Sequence, residues 1–190
     1  MLVILPPSET KSDGGAGAPL DLDTLSFPEL NPIRKRIGEA IVDLSSDLDA
    51  SRVALGLGQT QLSEVDRNAD LWLSPTRPAI ERYTGVLYDA LDHRSLTRAG
   101  KTKAADRLAI GSALFGVVRA PDPIPAYRLS GGSKLPGMPT LAALWTARTL
   151  VQWQQGRLAQ ARRRVVRLDE VGLDRARLVD PHQGVVGEVA

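Results

Sequence analysis

The sequence predicts an α+β fold, a mixed sheet surrounded by helices. Three observations carry this. Leu2-Val-Ile-Leu5 is a short apolar run, half of it β-branched and closed by Pro6-Pro7, which suits a buried strand. A second strand is expected at 107–111, around Leu108-Ala-Ile110, and the Tyr127–Leu129 segment is a third candidate. Between them, apolar residues recur at three- and four-residue spacing, the period of a helix with one buried face. With 190 residues, 43% hydrophobic and 24% charged, the chain is long enough for one domain with a real core.

After the first strand, Ser8-Glu9-Thr10-Lys11 falls where open sheets place ligands, at a strand's carboxyl end. Asp13-Gly-Gly-Ala-Gly-Ala-Pro19 reads as an exposed turn. It is not a phosphate loop, because its lysine precedes the glycines and no Gly-Lys-Ser/Thr follows. From Pro28 to Leu44 the residues Leu30, Ile33, Ile37, Ala40, Ile41 and Leu44 share one helical face, with Arg34-Lys-Arg36 expected on the solvated side.

Residues 48–73 predict two helical stretches separated by Gly56-Leu57-Gly58. A Gly-apolar-Gly turn between helices is the core of a helix-hairpin-helix. Its backbone N–H groups can hold a DNA phosphate without reading bases. The alternative is a plain helical corner with glycine caps. Asp49, Glu64, Asp66 and Asp70 crowd this region, against Arg52 and Arg67. Tyr83-Thr84-Gly85 precedes a short helix over 86–91, with Thr84 as its cap. Ser95 to Asp106 is polar and reads as a helix or turn. Thr140 to Trp153 predicts a last helix, capped by Thr140.

The stretch from Arg107 to Pro136 is rich in Gly and Pro, which set a backbone path rather than a regular element. Arg119, Tyr127 and Arg128 hang from that path, and a rigid loop carrying cations suits an anion. With Ser8, Lys11, Tyr83 and Thr84 these residues form the candidate cleft. The competing reading is structural: arginines that cap carbonyls, and aromatics at the edge of the core.

Three blocks resemble the YaaA peroxide-stress family. They are Gly111-Ser-Ala-Leu-Phe-Gly-Val-Val-Arg-Ala-Pro-Asp leading into Tyr127-Arg-Leu129, the opening Leu5-Pro-Pro-Ser-Glu-Thr-Lys11, and Tyr83-Thr-Gly-Val-Leu-Tyr-Asp-Ala-Leu91. They occur in family order over roughly residues 1–145. The resemblance implies a response to peroxide stress and binding of double-stranded DNA through a helix-hairpin-helix, with Leu55, Gly56 and Leu57 matching its turn. On this reading residues 1–155 form an incomplete YaaA-like domain. Residues 156–190 form an Arg-rich, poorly ordered tail that replaces the family's second half, as a frameshift or a wrong gene boundary would. A nonfunctional fragment is then a further alternative.

Several functions are disfavoured by composition. Zero cysteines exclude thiolate chemistry and suit a reducing, cytoplasmic location. No run approaches the ~20 apolar residues of a membrane span, and the amino terminus lacks a basic leader. Residues 151–190 hold seven Arg and five acids, so 1–150 keep seventeen basic and seventeen acidic side chains of the whole chain's 24 and 22. Nucleic-acid binding would therefore need a local patch. Only His93 and His182 are present, so no metal and no cofactor are predicted. No catalytic motif is recognisable. Ser8, Glu9 and Lys11 are the one small set that could act together, and a small-anion binder or enzyme using Lys11, Arg119 and Arg128 is the alternative to DNA binding.

Overall fold

The computed structural model describes residues 1–145 and, as backbone alone, short strands at 166–167, 177–180 and 184–188. In chain order the elements are β1 (Val3–Leu5), β2 (Gly17–Pro19), α1 (Asn31–Leu44), α2 (Leu48–Leu55), α3 (Ser63–Ala69), β3 (Pro75–Pro78), α4 (Ala79–Arg82), α5 (Val86–Leu91), α6 (Arg98–Arg107), β4 (Leu108–Ser112), β5 (Gly116–Arg119) and β6 (Pro123–Ile124). The fold is α+β as the sequence predicts, with the strands split between small sheets.

The first sheet has the order β1-β4-β5. β1 runs parallel to β4, with Leu5 opposite Ile110, and β4 runs antiparallel to β5. The second is antiparallel, β2-β3-β6. The strand expected at 127–129 does not form; that segment pairs with no strand, and Pro123–Ile124 joins the second sheet instead. Nor is 13–19 only a turn, since Gly17–Pro19 pairs with β3. Close approach explains its glycine: a Cβ on Gly17 would lie 2.4 Å from the Thr76 hydroxyl.

α1 buries Ile37, Ile41 and Leu44, as the spacing predicts, and Gly38 beside them. It also buries Arg34, which was expected on the solvated side. Arg34 is 1% exposed. Its Nε donates to the Phe115 carbonyl at 3.0 Å, and its Nη2 donates to Val117 at 2.7 Å and Ser26 at 2.9 Å. The guanidinium satisfies carbonyls around β5 that no strand reaches, which is why a cation is tolerated inside.

α5 begins at Gly85, whose φ is +100°, and no side chain caps it. The Thr84 hydroxyl instead donates to the Thr10 hydroxyl at 3.0 Å. The cap expected from Thr140 is present, its hydroxyl accepting from the Ala143 N–H at 3.2 Å. Residues 141–145 are helical, while the rest of the helix expected to Trp153, and most of 156–190, lie outside the described residues.

Candidate functional site

The site forms where the loop after β1 meets the start of α5 and the irregular segment after β6. Backbone hydrogen bonds fix that meeting. The Ser12 N–H donates to Arg82 at 2.8 Å and the Thr84 N–H to Thr10 at 3.2 Å, flanking a bridge between Lys11 and Tyr83. The far wall is held by Asn68 on α3. Its amide donates to the Arg128 carbonyl and accepts from the Arg128 N–H, both at 2.8 Å.

Lys11 sits inside this junction, 9% exposed. Its Nζ donates to the carbonyls of Ser8 at 3.2 Å and Glu9 at 3.4 Å. It lies 4.3 Å from the centre of the Tyr127 ring and 5.3 Å from that of Tyr83. The rings' negative faces favour the cation, but burial strips it of water. Burial dominates and pulls Lys11 down to about 8 from 10.5; Glu9 opposes the shift and Arg128 adds to it.

Behind the lysine runs a chain of hydroxyls. Ser112 and Tyr127 share a hydrogen bond of 2.8 Å, and Tyr127 and Tyr83 share one of 2.7 Å. The Phe115 N–H donates to the Ser112 hydroxyl at 2.9 Å. Burial raises Tyr83 and raises Tyr127 well above the usual range, so both phenols stay protonated. Tyr88 stacks on Tyr83 and donates to the Pro6 carbonyl at 2.7 Å, tying α5 to β1's end.

Arg128 closes the mouth. Its Nη1 pairs with the Glu9 carboxylate at 3.2 Å and donates to the Glu9 carbonyl at 3.4 Å. Its Nε is buried without a hydrogen-bond partner. On the side-on edge of the guanidinium, the Nε N–H therefore has no acceptor among the described residues. That edge matches the two oxygens of a carboxylate or phosphate.

The structure thus brings together Ser8, Lys11, Tyr83, Thr84, Tyr127 and Arg128. Arg119 is not with them. Its Nη2 donates to the carbonyls of Ala105, at 3.1 Å, and Asp106, at 2.5 Å, capping the end of α6. In an antiparallel pair a side chain's face is set by register, and Arg119 stands opposite Ala109, beside α6. Asn68 and Ser112 were missed. Asn68 lies three residues after Val65 and three before Leu71, so its place on an apolar face was a usable signal. Ser112 had none beyond its position at the end of a strand.

The Gly56-Leu57-Gly58 turn lies apart from this group of interacting side chains. Gly56 has a φ of +64° and its N–H donates to the Arg52 carbonyl, as does that of Leu57 at 2.9 Å. The Gly58 N–H donates to the Gln61 side chain at 3.0 Å. All three N–H groups are thus engaged within the chain, and Leu57 is buried. This is the geometry of glycine-capped helix ends. Among the described residues there is no cluster of His, Asp and Glu able to hold a metal ion, and no helix long and apolar enough to cross a membrane.

The profile of the family described as Peroxide stress protein YaaA matches residues 1–168, continuing past Trp145. A UPF0246 protein of Corynebacterium efficiens is 57% identical over 149 residues, 76% of this chain and 58% of the relative. One from Corynebacterium glutamicum is 52% identical over 150 residues, with the same coverage. One from Streptomyces coelicolor is 48% identical over 148 residues, 77% of this chain and 57% of the relative. The match therefore takes in somewhat over half the length of these relatives.

Proposed function

This chain belongs to the peroxide stress protein YaaA family, and on that premise we propose that its working part is a site for a small anion at Lys11 and Arg128. The carrying observation is the buried Nε of Arg128, which has no acceptor among the described residues. A buried guanidinium N–H without an acceptor is destabilising, and an anion oxygen would remove that penalty. Lys11 supplies a second positive centre, and the Ser8, Thr10 and Thr84 hydroxyls, hydrogen-bonded to one another, lie beside it. The ligand would carry a carboxylate or a phosphate, and be small enough to enter beside Tyr127.

Binding of double-stranded DNA is the second reading. Its support is the hairpin shape of α2 and α3 around Gly56. It asks for N–H groups that now bond within the chain, and for Lys11 to reach a duplex from a largely buried position. The small anion needs neither change.

Thermal denaturation of the 190-residue chain with inorganic phosphate or acetate tests the reading, with duplex DNA at low salt as a separate arm. A ligand at one hundred times its Kd stabilises by about 2.7 kcal/mol. A rise in Tm with either anion is expected. Arg128→Lys, which keeps the charge and loses the fork, is expected to weaken binding at least about tenfold. Equal binding by parent and Arg128→Lys would remove the site. Salt-dependent binding of duplex that survives Arg128→Lys would put the DNA reading in front.

A further inference from the structure

We propose that Lys11 is an imine-forming lysine, and that the anion held by Arg128 is the carboxylate of a small 2-oxo acid or aldehyde acid. The proposal rests on the small-anion reading above and adds the chemistry of the ligand's other end.

The first observation is what Lys11 lacks. A buried lysine that only stabilises a fold is paired with a carboxylate, because an unpaired buried ammonium is costly. Here the nearest candidate, the Glu9 carboxylate, is taken by Arg128. Nζ is left with two carbonyls and two aromatic faces, and no ion pair among the described residues. The carbonyls and rings favour the ammonium, but burial without a carboxylate partner works against it and eases loss of the proton to the neutral amine, the form that attacks carbonyl carbon.

The second observation is the distance scale. Lys11 Nζ and Arg128 Nη1 each donate to the same Glu9 carbonyl, at 3.4 Å. The amine and the guanidinium are therefore near enough to share one acceptor. A molecule with a carboxylate next to an aldehyde or ketone spans that gap, with two oxygens on Arg128 and the carbonyl carbon at Nζ. Phosphate alone would leave the amine unused.

The step balances without an oxidant or a reductant. Neutral Nζ adds to the carbonyl carbon and gives a carbinolamine. The C–O bond then breaks, and the oxygen leaves as water with the two hydrogens lost by nitrogen. A C=N bond remains, which water reverses.

Incubating the 190-residue chain with pyruvate and cyanoborohydride, followed by peptide mass mapping, tests this directly. The expected result is one reduced adduct on Lys11, forming at least tenfold faster than at any other lysine. Its rate should rise with pH through about 8. Acetone, which lacks the carboxylate, should label Lys11 far more slowly, and Arg128→Lys should erase the preference for pyruvate. Adducts scattered over surface lysines, or none on Lys11, would overturn the proposal. If pyruvate still raises the parent's Tm in an Arg128-dependent way, the anion site survives and only the imine fails. If it does not, both readings fall.

Discussion

Lys11 makes a stability prediction of its own. In the folded protein its pKa lies near 8, against 10.5 for the ordinary group. Between those values the unfolded chain binds more protons than the folded one, so this residue's share of stability rises with pH. Below pH about 8 both states are charged and the burial penalty is present in full. Above 10.5 both are neutral and it is gone. The shift corresponds to about 3 kcal/mol. Lys11→Met should therefore be more stable than the parent at pH 7, and the two should converge between pH 8 and 10.5. Urea midpoints across that range measure it. A constant difference between the two would show that Lys11 is charged and well compensated.

The residue scale is also where sequence reading was most uneven. Lys11, Tyr83, Tyr127 and Arg128 were legible together because each sits in an ordered, Gly- or Pro-bounded block. Arg34 and Arg119 were not. Arg34 falls three residues before Ile37 and four after Leu30, on the buried stripe by spacing alone. Its residue type argued for the opposite face, and type won. Two of the three carbonyls it satisfies, those of Phe115 and Val117, belong to residues over eighty positions away, which no local pattern reports.

At the scale of elements, the turn after α2 and the turn before β5 separate two uses of glycine. Gly56 has a φ of +64°, and a Cβ there would meet nothing within 4 Å. Gly116 has a φ of +72°, and a Cβ would lie 2.8 Å from the Trp145 ring. Gly56→Ala should therefore cost only left-handed backbone strain, roughly 1–2 kcal/mol. Gly116→Ala should cost clearly more, since strain and overpacking add. Guanidinium midpoints of the two variants test the ranking, which equal losses would refute. Neither change should alter anion binding unless the fold is lost. The boundaries of α5, the end of α1 and, to within a residue, the place of β4 followed from periodicity and Gly/Pro punctuation. The strand expected at Tyr127–Leu129 failed because Asn68, a side chain, takes the backbone groups that a neighbouring strand would have used.

At the scale of the whole molecule, Arg82 links the second sheet to the loop that carries Lys11. It is fully buried. Its guanidinium donates to the carbonyls of Ser12, Gly14, Pro75 and Ile124. Burial lowers it to about 10, which leaves it charged at neutral pH. Removing it would orphan four carbonyls and loosen the 11–14 loop. Arg82→Met is expected to destabilise by roughly 3–5 kcal/mol, and in any folded remainder to weaken anion binding as well. Calorimetry with and without phosphate reads both. Loss of stability with unchanged phosphate binding would separate this clamp from the site.

The amino-acid sequence alone determined the α+β class, the places of most helices and, to within a residue, of the strands expected at 2–5 and 107–111, and the family. These follow from apolar spacing, Gly/Pro breaks and short blocks, which are local properties of a chain. Only the tertiary structure decided which cations lie inside, which cap a helix and which keep a buried N–H without an acceptor. Arg34, Arg119 and Arg128 are the same residue type, and each follows an apolar or aromatic residue in the chain. What distinguishes them is the set of carbonyls and carboxylates that folding brings to each. Desolvation then fixes the outcome, because a buried guanidinium or amine must take whatever acceptors the distant chain supplies.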